Sequence, residues 1–475
     1  MTPALSPGEI FFNLLAALFV IPVIAGIFIK APKLIVFGFI GVLFLFSDST
    51  WGQIEQEATL YSRGAGIFYF SLLNLILLVS GFTAFLKRLA NPHSPQLAPP
   101  ISKYFVAFIF LLLAHVVMGL MAGIDLNVIL GYNGVFNILN MLIFMYIVIM
   151  AFESDKDSVR LLAIILVLAG VRAAFGAVRY FLFDGDSANP YRNFEGLDIK
   201  IFFFDINDNF VASLAAFCAA WLLTKPEVKL AWYTRILMLL FIGLEIAAVA
   251  LSFRRSSLIG LALMLGFLFL QLPGKRKFFF ALVAAVALAG VASIFFQQRL
   301  QFAADGGGVL ESLIYDIAPD RGGIKENRFY ELYAAAQSMD GNWLFGRGTW
   351  GTFIGDKDAL SYHGNDFSFV HSGFGHVLFK TGIVGLILFC CILAAYVSFY
   401  FKHRRYLSGN AHLIADAGFA GFLFWIPTLL IGTPIIEFRS MMDLGLVLAM
   451  PFVAVGIHNY QIRRYLYQQA HYAAA

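Results

Sequence analysis

HVLFKTGIVGLILFCCILAAYVSFY, residues 376–400, carries one internal cation, Lys380, and no acid, and it is long enough to cross a bilayer as a helix. A span needs about 20 mainly apolar residues, because hydrocarbon offers backbone groups no partner except one another. Comparable runs occur near residues 10–29, 34–47, 65–86, 104–122, 131–151, 159–182, 202–223, 232–252, 256–272, 278–296, 413–432 and 440–458. With 60% hydrophobic, 16% aromatic and 13% charged residues in 475, the chain cannot build a soluble surface. The pattern predicts an all-α, polytopic helix bundle of about 12–13 spans, one integral membrane domain over residues 1–475. The segment at 34–47 is short and interrupted by glycine, which suits a re-entrant piece or fusion with its neighbour. The start, MTPALSPGE, lacks the basic opening and small-residue cleavage site of a signal peptide, so the first run is expected to be retained.

Lysine and arginine fall in alternate short loops: Lys30 and Lys33, Lys87 to Lys103, Lys225 to Arg235, Lys275 to Lys277, Lys402 to Arg405, and Arg463 with Arg464. Such loops stay on the cytoplasmic side. The loops between them are acidic or neutral, and the longest, about 297–375, is among them, so it is expected to face outward, away from nucleotide-linked donors. The net charge of +4 reflects this asymmetry and gives no reason to expect nucleic acid as a partner. Cys218, Cys390 and Cys391 lie in apolar runs and read as small buried hydrophobes, with no disulfide or zinc spacing.

The long loop concentrates the polar chemistry. Glu326 to Met339 reads as a short helix ending at Asp340-Gly341, with Arg328 in its first turn and Glu331 three residues on. An Arg328–Glu331 pair is the bland reading; an arginine at a helix N-terminus also suits an oxyanion. NWLFGRGTW, residues 342–350, follows, where Gly346 and Gly348 flank Arg347 and permit close backbone approach. LSFRRSSLIG, residues 251–260, places Arg254 and Arg255 on the otherwise acidic face, where they either snorkel to headgroups or grip phosphate. Arg172 and Arg179 share one helical face, and Glu245 is a candidate partner in a structural ion pair. His115 reads as a hydrogen-bonded core histidine, while Lys380 could snorkel or join an anion site. His371, with His363 and His376 as rivals, can titrate near neutrality.

In order along the chain, these elements resemble the O-antigen ligase and polymerase superfamily. FFFDINDNFVASLAAF, residues 202–217, is similar to a family stretch with Asn209 at the matching position. LSFRRSSLIG resembles a Ser-Arg element, with Arg255 aligning best and Arg254 an extra charge. NRFYELYAAA with LFGRGTWGTF resembles the family's Arg-helix-Gly-x-Gly loop through Arg328, Gly346 and Gly348. HSGFGHVLFKTGIVGLI resembles its His-led span opening through His371 and the Gly382–Gly385 turn. The likeness covers about residues 200–400 and departs at Ser372, where the family often has asparagine.

The resemblance implies a bacterial inner-membrane glycosyltransferase, metal-independent, inverting and without a cofactor. It would use an undecaprenyl-diphosphate-linked glycan at the periplasmic face, with a glycan or lipid acceptor and membrane lipids around it. On this reading Arg255, Arg328 and Arg254 hold the diphosphate and His371 orients or deprotonates the acceptor hydroxyl. Arg179, Arg347, Gly346, Gly348 and Asn209 support them, and Asp205 and Asp208 are polar residues introducing a span. Two other classes account for intramembrane charge: a secondary transporter, whose paired half-repeats are not visible here, and a non-catalytic partner of polysaccharide export.

Overall fold

The computed structural model describes residues 7–46, 72–90, 101–131, 134–152, 154–186, 200–224, 230–278, 280, 328–354 and 366–474. The chain forms α1 (Pro7–Lys30), α2 (Pro32–Leu45), α3 (Leu72–Ala90), α4 (Ser102–Met121), α5 (Leu126–Ile129) and α6 (Asn137–Ala151). These are followed by α7 (Asp155–Leu182), α8 (Ile206–Thr224), α9 (Trp232–Ala250) and α10 (Arg255–Gln271). The polar loop contributes α11 (Arg328–Ser338) and a two-stranded ribbon, β1 (Phe353–Ile354) with β2 (Asp366–Phe367). Then come α12 (Gly373–Arg404), α13 (Gly409–Ile431) and α14 (Phe438–Ala474).

Among the described residues, eight helices are long and apolar enough to span a membrane: α3, α4, α7, α8, α9, α12, α13 and α14. The expected runs at 10–29 and 34–47 form α1 and α2, bent by 109° at Ala31–Pro32, a broken pair rather than two full crossings. Proline at the first position of α2 explains the break, since it has no N–H to continue the preceding helix. The runs at 131–151 and 256–272 form α6 and α10, which are shorter than a full span. α6 is mostly enclosed against α14 and α3, the usual setting for a short apolar helix. Apart from residues 278 and 280, the expected span at 278–296 lies outside the described residues, as do residues 297–327 of the loop.

The centre of the bundle is α8, α13 and α14. Their spanning windows are 89%, 78% and 94% buried, against 22–39% for the other candidate spans. Small residues allow this closeness: a Cβ on Gly445 of α14 would lie 2.6 Å from the Met141 carbonyl of α6. At the end of the bundle remote from the polar loop, Asp416 of α13 gathers Tyr400 (2.7 Å), Arg404 (2.8 Å), Trp221 (3.1 Å) and His412 (3.2 Å). One carboxylate there fastens α8, α12 and α13.

α12 is broken at Gly382, whose φ of 68° and ψ of −168° are not helical. The rings of Phe374 and Phe389 are 5.8 Å apart, although fifteen helical residues would separate their backbones by about 22 Å. The first turns of α12 therefore fold back across the end of the bundle, and Gly373 packs against Leu429 near the end of α13.

Candidate active site

The polar loop carries its own small core. Ala334 and Ala335 of α11 and Met339 just after it pack with Phe353, Phe367, Val370 and Phe379, and the Phe353 ring lies 5.3 Å from both Phe367 and Phe379. The predicted helix 326–339 is observed over Arg328–Ser338, and its alanines are the face that packs. This core holds α11 against the start of α12.

That contact brings Glu331 onto His371. The carboxylate lies 2.9 and 3.1 Å from Nδ1 and accepts the His371 backbone N–H at 3.1 Å. Glu331 is 4% exposed and the imidazole 25%. Phe369 meets the ring edge-to-face at 5.1 Å. Ser372 then caps α12, its Oγ accepting the Gly375 N–H at 3.1 Å. Serine and asparagine are about equally good at an N-cap, so the departure from the family pattern at Ser372 preserves the cap chemistry. Among the described residues the partner of Glu331 is His371, 40 residues away in the chain. Arg328 opens α11, and its side chain lies outside what the structure describes. His363 lies outside the described residues, and His376 is buried, with Nδ1 3.4 Å from the Val370 N–H.

Arg255 reaches the same end of the bundle by a separate route. Gly260 of α10 packs on Phe424 of α13, and Gly373 of α12 packs on Leu429, five residues further along α13. Arg255 is likewise five residues from Gly260, a rise of about 7.5 Å, so the openings of α10 and α12 flank α13 at about the same height.

Arg254, Arg179 and Asn209 converge elsewhere, on the extended segment Phe202–Asp205. Arg254 lies over the Phe204 ring at 4.6 Å. Arg179 gives hydrogen bonds to the Phe202 carbonyl (2.8 Å) and Asp186 (2.9 Å), and Asp186 also accepts the Phe204 N–H at 2.9 Å. Asn209 donates to the Asp205 carbonyl at 2.9 Å. All three fix the approach to α8, and Arg254 is the most solvent-reachable of them.

Gly346 and Arg347 dock against the break in α12, and Gly348, at φ 86°, lies against the Trp350 ring. The exchange is reciprocal: Ile383 and Val384 donate to the Trp343 and Leu344 carbonyls (2.8 and 3.2 Å), while the Phe379 carbonyl accepts from Arg347 N–H (2.9 Å). Gly346, at φ 72°, has no room for a side chain, since a Cβ would lie 2.7 Å from the Phe379 carbonyl. Lys380, buried, donates to the Gly351 carbonyl at 2.7 Å and so fastens the same loop. The Arg347 side chain is exposed. His115 is buried near the Trp350 ring with neither ring nitrogen hydrogen-bonded among the described residues, contrary to the bonded core histidine expected.

The intramembrane arginines do not pair with Glu245. Arg172 binds Asp208 at 2.5 Å and Arg179 binds Asp186, while both Glu245 oxygens are buried without a hydrogen bond among the described residues. Asp205 and Asp208 are more than polar residues introducing a helix: Arg439 binds them at 2.6 and 2.7 Å and gives Nε–H to the Leu43 carbonyl at 2.7 Å. Sequence reading missed Arg439; its signal was a guanidine in the first turn of a span, on the face where Arg254 and Arg255 had already broken the charge rule.

No curated protein matches the chain. Residues 236–390, which hold Arg254, Arg255, Arg328, Glu331, the Gly346–Gly348 loop and His371, match the family described as O-antigen ligase, and the match supports the O-antigen ligase/polymerase superfamily for this polytopic chain.

Proposed function

We propose that the protein transfers a glycan from an undecaprenyl-diphosphate donor to an acceptor hydroxyl, on the outward face of the bacterial cytoplasmic membrane. The observation that carries this reading is the buried Glu331 carboxylate on the partly exposed imidazole of His371, at the end of the bundle where α10 presents Arg255. A glycosyl diphosphate already has a good leaving group. Catalysis then needs positive charge on the departing diphosphate and a base for the incoming hydroxyl. Arg255 and Arg328 would hold the diphosphate with help from Arg254, and His371 would take the hydroxyl proton. In-line displacement inverts the anomeric centre, and the guanidiniums do the charge work without a metal. Arg179, Asn209, Gly346 and Gly348 serve by holding the approach to α8 and the loop in place; Arg347 faces solvent beside them. The acceptor is either a second lipid-linked repeat, which makes a polysaccharide polymerase, or a lipid A core, which makes a ligase in lipopolysaccharide assembly.

The test is release of undecaprenyl diphosphate by the purified protein given a lipid-diphosphate glycan and each acceptor in turn. Release is expected, unaffected by chelator, and Arg255→Ala and Arg328→Ala should each raise the donor KM. Inactivity with both acceptors would overturn the reading.

A further inference from the structure

We propose that Glu331 is the positioning residue of His371, setting the ring's orientation and tautomer so that Nε2 is the atom presented to the acceptor hydroxyl. This rests on the transferase reading above and assigns a second residue to the same site. Glu331 takes two hydrogen bonds from one residue, the backbone N–H (3.1 Å) and ring Nδ1 (2.9 Å), which fixes both the position of His371 and its side-chain rotation. Carboxylate oxygens only accept, so the shared hydrogen sits on Nδ1 and the ring lone pair on Nε2.

The burial is graded in the useful direction. The acid is 4% exposed and the imidazole 25%, so the orienting group is shielded and the ring is reachable. An ordinary surface ion pair would have both ends in water and hold neither group still. Each partner is also fixed independently. α11 is seated by Ala334, Ala335 and Met339 in the loop's core, and the backbone after His371 is held by the Ser372 cap. Glu331 is thereby the link between two rigid pieces.

In the transfer, Nε2 accepts the proton as the acceptor O–H bond breaks. The hydroxyl oxygen bonds to the anomeric carbon, and the bond from that carbon to the diphosphate breaks with its electron pair leaving on the diphosphate. The imidazolium so formed is stabilised by the Glu331 carboxylate and returns its proton to solvent. Because Arg328 opens the helix that carries Glu331, donor capture and base alignment would depend on the seating of one element, α11.

The experiment uses the full chain with a lipid-diphosphate glycan and compares Glu331→Gln, Glu331→Asp, His371→Ala and the double variant Glu331→Gln/His371→Ala. Glu331→Gln should lower kcat on the order of 100-fold while leaving donor KM unchanged, and Glu331→Asp should recover part of the loss. The double variant should be no slower than His371→Ala alone, since a positioning residue has nothing left to position. Glu331→Gln within about threefold of wild type, a loss confined to donor KM, or a double variant slowed additively would overturn the proposal. A wild-type protein that releases no lipid diphosphate would instead overturn the transferase reading, and the proposal with it.

Discussion

At Arg439 all three guanidinium nitrogens have an acceptor, Leu43, Asp205 and Asp208, and the side chain is 2% exposed. At His371, Glu331 holds Nδ1 and the backbone, and a quarter of the imidazole surface is open. Both are polar partnerships in an apolar protein, yet they do different work. The Arg439 network joins the C-terminal carbonyls of α2 to the starts of α8 and α14, and Arg172 extends it by donating to the Leu45 carbonyl at 3.2 Å and to Asp208. Its ions compensate one another, which is how charge is tolerated inside a membrane. The contrast teaches how to weigh polar groups in such a chain: Arg172 and Arg439 are spent on the fold, whereas the role proposed for His371 rests on the part of its ring that faces outward.

The comparison can be broken at either region. The largest effect is expected from Arg439→Ala, which takes a guanidinium from both Asp205 and Asp208, leaving Arg172 on Asp208, and should cost about 3–5 kcal/mol, read as a lower melting temperature and yield in detergent. A variant that melts like wild type would show that the network does not hold the bundle. Gly382→Ala should be next, at about 1–3 kcal/mol, because φ is 68° there and the Leu344 carbonyl occupies the space a Cβ needs. Its signature is faster proteolysis within residues 342–351, and unchanged cleavage would remove the docking role assigned to the break in α12. The smallest effect belongs to Arg347→Ala, whose side chain is exposed: melting should not change, and donor KM should rise less than in Arg255→Ala. An equal rise would move Arg347 into the diphosphate grip.

The helices were legible because burial in lipid demands long apolar runs. All twelve expected segments that fall among described residues are helical, and the Gly-interrupted one at 34–47 is indeed half of a bent pair. What could not be read were partnerships. Arg328 and Glu331 share a helix face three residues apart, which makes that pair one candidate in the sequence, but nothing local announces a contact with a histidine 40 residues on. Glu245 was offered to Arg172 and Arg179 because both lie in spans, but Asp208 and Asp186 reach those guanidiniums when the segment 200–205 folds back on α7. Gly346 and Gly348 were read as making room for a ligand. At Gly346 the room is taken by α12, whose reciprocal bonds at Phe379 and Ile383 depend on a break that only the folded chain displays; at Gly348 it is taken by the Trp350 ring. Ser372, the point of departure in the sequence, turns out to be an ordinary helix cap.

The central claim is that His371 carries the chemistry while the arginine network carries the fold. Its most direct test is undecaprenyl diphosphate release by His371→Ala, measured beside its melting temperature. Turnover should fall roughly 10²- to 10⁴-fold while melting shifts little, since Glu331 keeps the backbone N–H of residue 371. Full turnover in that variant, or a loss explained by unfolding, would contradict the account.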